Sequence, residues 1–206
     1  KNLLYREIKK NKAIYLFLLI IFITGFTLRA VNTVAIQHIE LDTMEHVVQG
    51  TMILHKGVFE YIHDAPSFAV LISILEAIIG PHPSSGSIIG VFLGSLSILL
   101  IFVLTQLLFE NYKVAIISSI LLAFSILHYR ASINPYPVGT SIFFMLLTMI
   151  IFLIALRKNS LLLYIASGIS LGFTSQIYYI ELVLFLPFAF YTFLRKGLSF
   201  FKTKYF

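Results

Sequence analysis

Acids, histidines and a lone arginine gather at a few points of this 206-residue sequence. The stretch Leu41-Asp42-Thr43-Met44-Glu45-His46 comes first, then His63-Asp64-Ala65-Pro66. Tyr129-Arg130-Ala131-Ser132-Ile133-Asn134-Pro135 follows, and then the run from Gln176 through Glu181. A positioned carboxylate takes a proton from a hydroxyl as a general base, and Asp42 is the candidate for that work. A guanidinium forks onto two oxygens of an anion such as phosphate, which singles out Arg130. Glu45, His46, His63, Asp64 and Gln176 carry groups that orient an acceptor. The acids and histidines among them also suit a divalent cation, although no tight ligand spacing joins them. Each residue has an ordinary structural role beside the chemical one. Asp-x-x-Glu at 42–45 is a capping box for a helix start, and an arginine at a span end snorkels to headgroups.

The elements that must hold these residues follow from composition. The chain is 59% hydrophobic and 12% charged, with a mean hydropathy of +0.95. A soluble domain carries roughly 25% charged residues, so these figures exclude one. Solid apolar runs without strand-like alternation predict an all-α, polytopic transmembrane bundle. Six spans are expected, at residues 13–35, 88–109, 114–127, 138–156, 161–177 and 182–194, the last two forming a hairpin around Gln176 to Glu181. A seventh run, 65–79, opens near Pro66 and contains Glu76. At 15 residues it reaches only about 22 Å as a helix, short of the roughly 30 Å hydrocarbon core.

Counting basic residues decides how that run sits. If it lies along the membrane, the flank Lys1 to Lys12, Lys113, Arg157-Lys158, Arg195-Lys196, Lys202 and Lys204 all face the cytoplasm. Only Arg29, Lys56 and Arg130 then lie outside. If it crosses, the later basic residues change sides. The chain therefore reads as a single transmembrane domain over 1–206, with a cytoplasmic flank at 1–12. Residues 36–86 form the first extracytoplasmic segment, with an outer interfacial or re-entrant helix at 65–79. All six histidines and seven of the nine acids fall on the outer side in this topology, so any chemistry belongs there. Glu76 is expected on the wet face of the surface helix. Tyr61, Tyr129, Tyr136, Tyr178 and Tyr179 are expected in an interfacial belt, and Gly168 and Gly172 in close helix packing. The net charge of +6 is explained by the cytoplasmic flank, which meets anionic lipid headgroups and needs no nucleic acid. Without cysteine no disulfide framework exists.

Taken together, the motifs resemble the membrane glycosyltransferases that use polyprenyl-phosphate sugars, the protein O-mannosyltransferase and aminoarabinose transferase type of the glycosyltransferase C superfamily. An acid stands soon after the first span (Asp42), and a proline motif opens a helix along the membrane (Ala65-Pro66-Ser67-Phe68 after His63-Asp64). An outer arginine precedes the fourth span (Arg130), and a Gly-x-x-x-Gly helix ends in polar residues (Gly168 through Gln176). Thr43 stands where the family has Glu after the acid, Asn134 and Pro135 where it has an acid after the arginine, and Gln176 near its lysine. Relatives are usually at least twice as long, so the resemblance implies either the N-terminal half of such a protein or a divergent relative. It implies a lipid-linked sugar donor, a protein or lipid/glycan acceptor, Asp42 as base, Arg130 on the donor phosphate and inversion at the sugar. The membrane would be a plasma membrane or an endoplasmic reticulum. A lipid-linked-sugar flippase or transporter and a non-catalytic scaffold are the competing functions. The middles of the second, third and fourth spans carry no ionisable group, which argues against ion-coupled transport.

Overall fold

The computed structural model describes residues 11–35, 41–57 and 66–196, and every regular element among them is helical. In chain order these are α1 (Lys12–Ala35), α2 (Leu41–Lys56), α3 (Pro66–Ile79), α4 (Ser85–Phe109), α5 (Tyr112–Phe124), α6 (Ile126–Ile133), α7 (Pro137–Lys158) and α8 (Leu161–Ile177). A 3₁₀ turn, Tyr179–Leu184, then leads into α9 (Phe185–Lys196). Helices satisfy their backbone groups internally, as lipid requires. Three of them, α1, α4 and α7, are long and apolar enough to cross a membrane, and α5 with α6 makes a fourth span bent by 56°. Of the last two expected spans, 161–177 is α8 and 182–194 falls within the apolar segment Tyr179–Leu194, and both are shorter. Large apolar side chains such as Leu121, Leu162 and Ile169 point outward from the bundle, as befits a protein solvated by hydrocarbon.

Helix α4 is the hub, packed against α1, α5, α6 and α7. Small residues let backbones approach where helices cross. On α5 the stripe Ala115, Ser119 and Ala123 is buried, and Ser119 Oγ reaches across to the Ile98 carbonyl at 3.2 Å. On α4 the stripe is Gly86, Gly90 and Gly94. A Cβ at Gly90 would stand 2.6 Å from the Ser132 carbonyl, and one at Gly94 would overlap the Ser132 side chain. The tight Gly-x-x-x-Gly packing of this protein therefore lies on α4. Around Gly168 and Gly172 of α8 nothing stands within 4 Å, contrary to the expectation from sequence. Helix α8 is instead joined to α7 through hydroxyls: Thr148 Oγ1 lies 2.6 Å from Ser170 Oγ and 3.1 Å from Thr174 Oγ1.

The segment between the first two long helices holds a hairpin of two helices, where apolar patterning picks out 65–79 and only the capping box at 42–45 marks the start of the other. Helix α2 was hidden because its polar residues break the apolar run. Gly50 sits at the crossing, where a Cβ would collide with Ile72 and approach the Ala69 carbonyl at 3.1 Å. The same packing overturns the expectation for Glu76. It is buried, accepting a hydrogen bond from Thr51 Oγ1 of α2 at 2.8 Å and a longer one from the His82 amide at 3.4 Å. At the far end of the bundle, Arg157 donates to the Leu107 carbonyl and faces Glu110 at 3.5 Å. Glu110 ends α4 in the left-handed conformation, φ 52°.

Candidate functional site at one end of the bundle

The site is built where α2, α3, the α6–α7 link and the end of α8 converge. His46 of α2 is buried, its ring edge-on to Phe68 of α3 at 5.6 Å and to Tyr136 of the link at 6.0 Å. Val47, Phe68, Ile89 and Ile177 share one apolar cluster beside it, which brings the last turn of α8 to the same end. Glu45, next to His46, is exposed and accepts a hydrogen bond from Gln49 Nε2 at 3.2 Å. Asp42 lies in the first turn of α2, four residues before His46 in the chain; its side chain lies outside the described part. His63 and Asp64 also lie outside the described residues.

Arg130 is exposed in the last turn of α6, and Asn134, Pro135 and Tyr136 lead from it into α7. Gly139 of α7 makes that tight reversal feasible, since a Cβ there would overlap the Ala131 carbonyl. Gln176 is exposed at the end of α8. Beyond it the chain turns through Glu181, which is buried and accepts from Ser141 Oγ at 3.2 Å. The contacts of His46 with Phe68 and Tyr136 bring α2, α3 and the α6–α7 link together, while no side-chain contact joins Glu45, Arg130 and Gln176 among the described residues. Among the described residues no three His, Asp or Glu side chains come together as a cation site requires.

Sequence reasoning missed a polar node packed directly behind α6. Arg29, counted with the extracytoplasmic residues, is fully buried in the bundle. It donates to the Gly25 carbonyl at 2.8 Å, the Ala123 carbonyl at 3.3 Å and His128 Nδ1 at 2.9 Å, with the Tyr129 ring centroid 5.9 Å away. His128 is itself buried, not interfacial. The available signal was a single arginine inside the apolar run 13–35, where a charge has to find partners.

An apolar groove of about 580 Å³ lies between α1, α3 and α4, walled by Phe26, Ala30, Leu71, Leu75, Ile88 and Phe92. Its lining is almost wholly apolar.

Burial holds the Glu181 carboxyl, in the link between α8 and α9, above its ordinary value, and the Ser141 hydrogen bond only partly offsets this. Folding therefore favours the protonated acid. The associated stability is fully present below the unfolded value near 4.5 and declines as pH rises through the raised folded value. Glu181→Gln should flatten that decline, as read by thermal unfolding of the detergent-solubilised protein at a series of pH values. An unchanged slope would contradict the assignment.

Residues 63–206 match the model of the dolichyl-phosphate-mannose-protein mannosyltransferase family, and the chain belongs to that family of membrane glycosyltransferases. No curated protein and no solved structure matches it. The matched region contains His63, Asp64, Arg130 and Gln176, whereas Asp42, Glu45 and His46 precede it.

Proposed function

We propose that this protein moves a mannose-like hexose from a polyprenyl-phosphate donor to a hydroxyl of a protein or lipid/glycan acceptor. The single observation that carries the reading is the family match over 63–206. Two features support it. Arg130 is exposed at a helix end, free of any ion pair among the described residues. The groove between α1, α3 and α4 suits an isoprenoid chain that enters sideways from the bilayer.

The transfer then runs as follows. The acceptor oxygen attacks the anomeric carbon as its proton passes to the Asp42 carboxylate. The bond from that carbon to the phosphate oxygen breaks, and the electron pair leaves with polyprenyl phosphate. The Arg130 guanidinium holds the departing charge. Attack opposite the leaving group inverts the anomeric centre. Glu45, His46, His63, Asp64 and Gln176 orient the acceptor. This end of the bundle faces away from the cytoplasm in our reading, because Lys113, Arg157 and Lys158 cluster at the other end.

The test is sugar transfer from a polyprenyl-phosphate mannose donor by the protein in native membranes. Arg130→Ala should raise the donor KM by roughly 10- to 100-fold, the worth of one or two charge-assisted hydrogen bonds. Arg130→Lys should recover only part, since an ammonium lacks the planar fork. Donor crossing the bilayer with no sugar transferred would replace this reading by that of a flippase.

A further inference from the structure

We propose that Arg29 and His128 form a staple that fixes the bend between α5 and α6 and so sets where Arg130 is presented. The inference rests on the donor-phosphate role proposed for Arg130, but its geometric half stands on its own. Arginine near a span end ordinarily extends toward the nearer headgroups. Arg29 does the opposite. Its guanidinium folds back one helical turn to the Gly25 carbonyl, into the bundle, and is fully buried. Gly25 makes room for this, because a Cβ there would stand 3.2 Å from Arg29 Nη1. Among the described residues no carboxylate pairs with this cation. Its partners are dipoles at a helix break.

The break is at Ser125, where the chain is extended and the third span bends by 56°. A break leaves the last carbonyls of α5 without helical partners and concentrates negative potential there. Arg29 Nη2 reaches one of them, Ala123, and the same nitrogen reaches His128 Nδ1 in the first turn of α6. A guanidinium has donors only. Nδ1 must therefore accept, and the neutral imidazole carries its proton on Nε2. One side chain of α1 thus holds both sides of the break.

The grip continues into α4. The His128 carbonyl accepts from Ser132 Oγ at 2.6 Å, and Ser132 fills the space left by Gly90 and Gly94. Arg130 stands two residues after His128 on this same short helix. A shift or tilt of α6 would carry Arg130 with it. Arg29 and His128 are therefore positioning residues that act on the donor through Arg130.

The test uses the full-length protein in lipid nanodiscs. The 206-residue sequence has no cysteine; with any cysteine beyond it replaced by serine, Ile117→Cys on α5 and Asn134→Cys after α6, both exposed, place two nitroxides across the bend. Their separation is read by pulsed electron resonance. A narrow distribution is expected in the parent and in His128→Asn, whose amide oxygen still accepts from Arg29. A broadened or lengthened one is expected in Arg29→Gln and His128→Leu. Donor KM should rise roughly tenfold in the latter two at near-parent kcat, while His128→Asn stays near the parent. Should Arg29→Gln not accumulate, the Asn and Leu variants at His128 decide between acceptor and filler. Equal behaviour of those two, or an unchanged distribution in Arg29→Gln, would overturn the staple. If the parent transfers no sugar, the distance measurement alone decides, and the transferase reading falls separately.

Discussion

Asp42→Asn should lower the turnover of sugar transfer by about 10²- to 10⁴-fold, the usual range for removing a general base. A lipid phosphate departs readily, whereas an alcohol is a poor nucleophile until its proton is taken. The barrier therefore falls most on the step assigned to Asp42. Asparagine is nearly isosteric and keeps a carbonyl oxygen, so it can still satisfy backbone amides at the start of α2. The variant should accumulate like the parent and bind donor with a near-parent KM. That pattern separates a base from a helix cap, because loss of a cap would reduce folded protein by about 1 kcal/mol and leave turnover intact. Steady-state transfer by equal amounts of membrane-embedded parent and variant checks the prediction. Equal turnover would remove Asp42 from the mechanism.

Gly139→Val should nearly abolish accumulation of folded protein. A Cβ at this position overlaps the Ala131 carbonyl and comes within 2.9 Å of the Ser132 Cα. Backbone atoms cannot swing aside as a side-chain end can. The α6–α7 reversal would have to open, and with it the seat of Arg130. Overpacking a tight core typically costs about 1 to 3 kcal/mol even where side chains can adjust. That is a large part of a marginal total stability. Gly90→Val should behave alike, since its obstacle is the Ser132 carbonyl. Gly168→Ala and Gly172→Ala are the controls. Their surroundings are open, and replacing glycine inside a helix gains at most about 1 kcal/mol. Fluorescence-detected size exclusion of tagged variants reads all four. Loss in the α8 variants with survival of Gly139→Val would invert the packing described.

Much of the bundle was legible because lipid demands long apolar helices. Helix α8 matches its expected bounds, 161–177, because Ser160 and the polar knot after Ile177 punctuate it. The third span was expected at 114–127, and the bent helix pair α5 and α6 covers it, running from Tyr112 to Ile133. Its bend was not legible, because the only local mark is one serine whose hydroxyl accepts from the His128 amide. Counting charges put Arg29 on the extracytoplasmic side but could not show its burial, since such counting sees sign and not hydrogen-bond partners. Gly168 and Gly172 drew notice as a spaced pair, yet Gly86, Gly90 and Gly94 repeat the spacing twice. Only the facing chain reveals which stripe is occupied. Glu76 looked solvated because the helix that covers it, α2, has too little apolar periodicity to stand out. Of the proposed site, Arg130, His46 and Gln176 were named from residue type. What the sequence withheld was the node behind them, made from residues 99 positions apart.

That separation bears on how the protein is made. When α1 leaves the ribosome and meets the lipid, His128 and the carbonyl of Ala123 have not yet been synthesised. Arg29 then has only the Gly25 carbonyl of its own helix. Insertion of an arginine within a span is disfavoured, by about 2.5 to 3.5 kcal/mol at a helix centre and by less toward its end, a burden the surrounding Leu, Ile and Phe of α1 can outweigh. The first helix thus enters the bilayer carrying an unmatched cation. It reaches its resting place only when the α4–α5 hairpin arrives, so the order of synthesis makes α1 a waiting subunit and the third span its release.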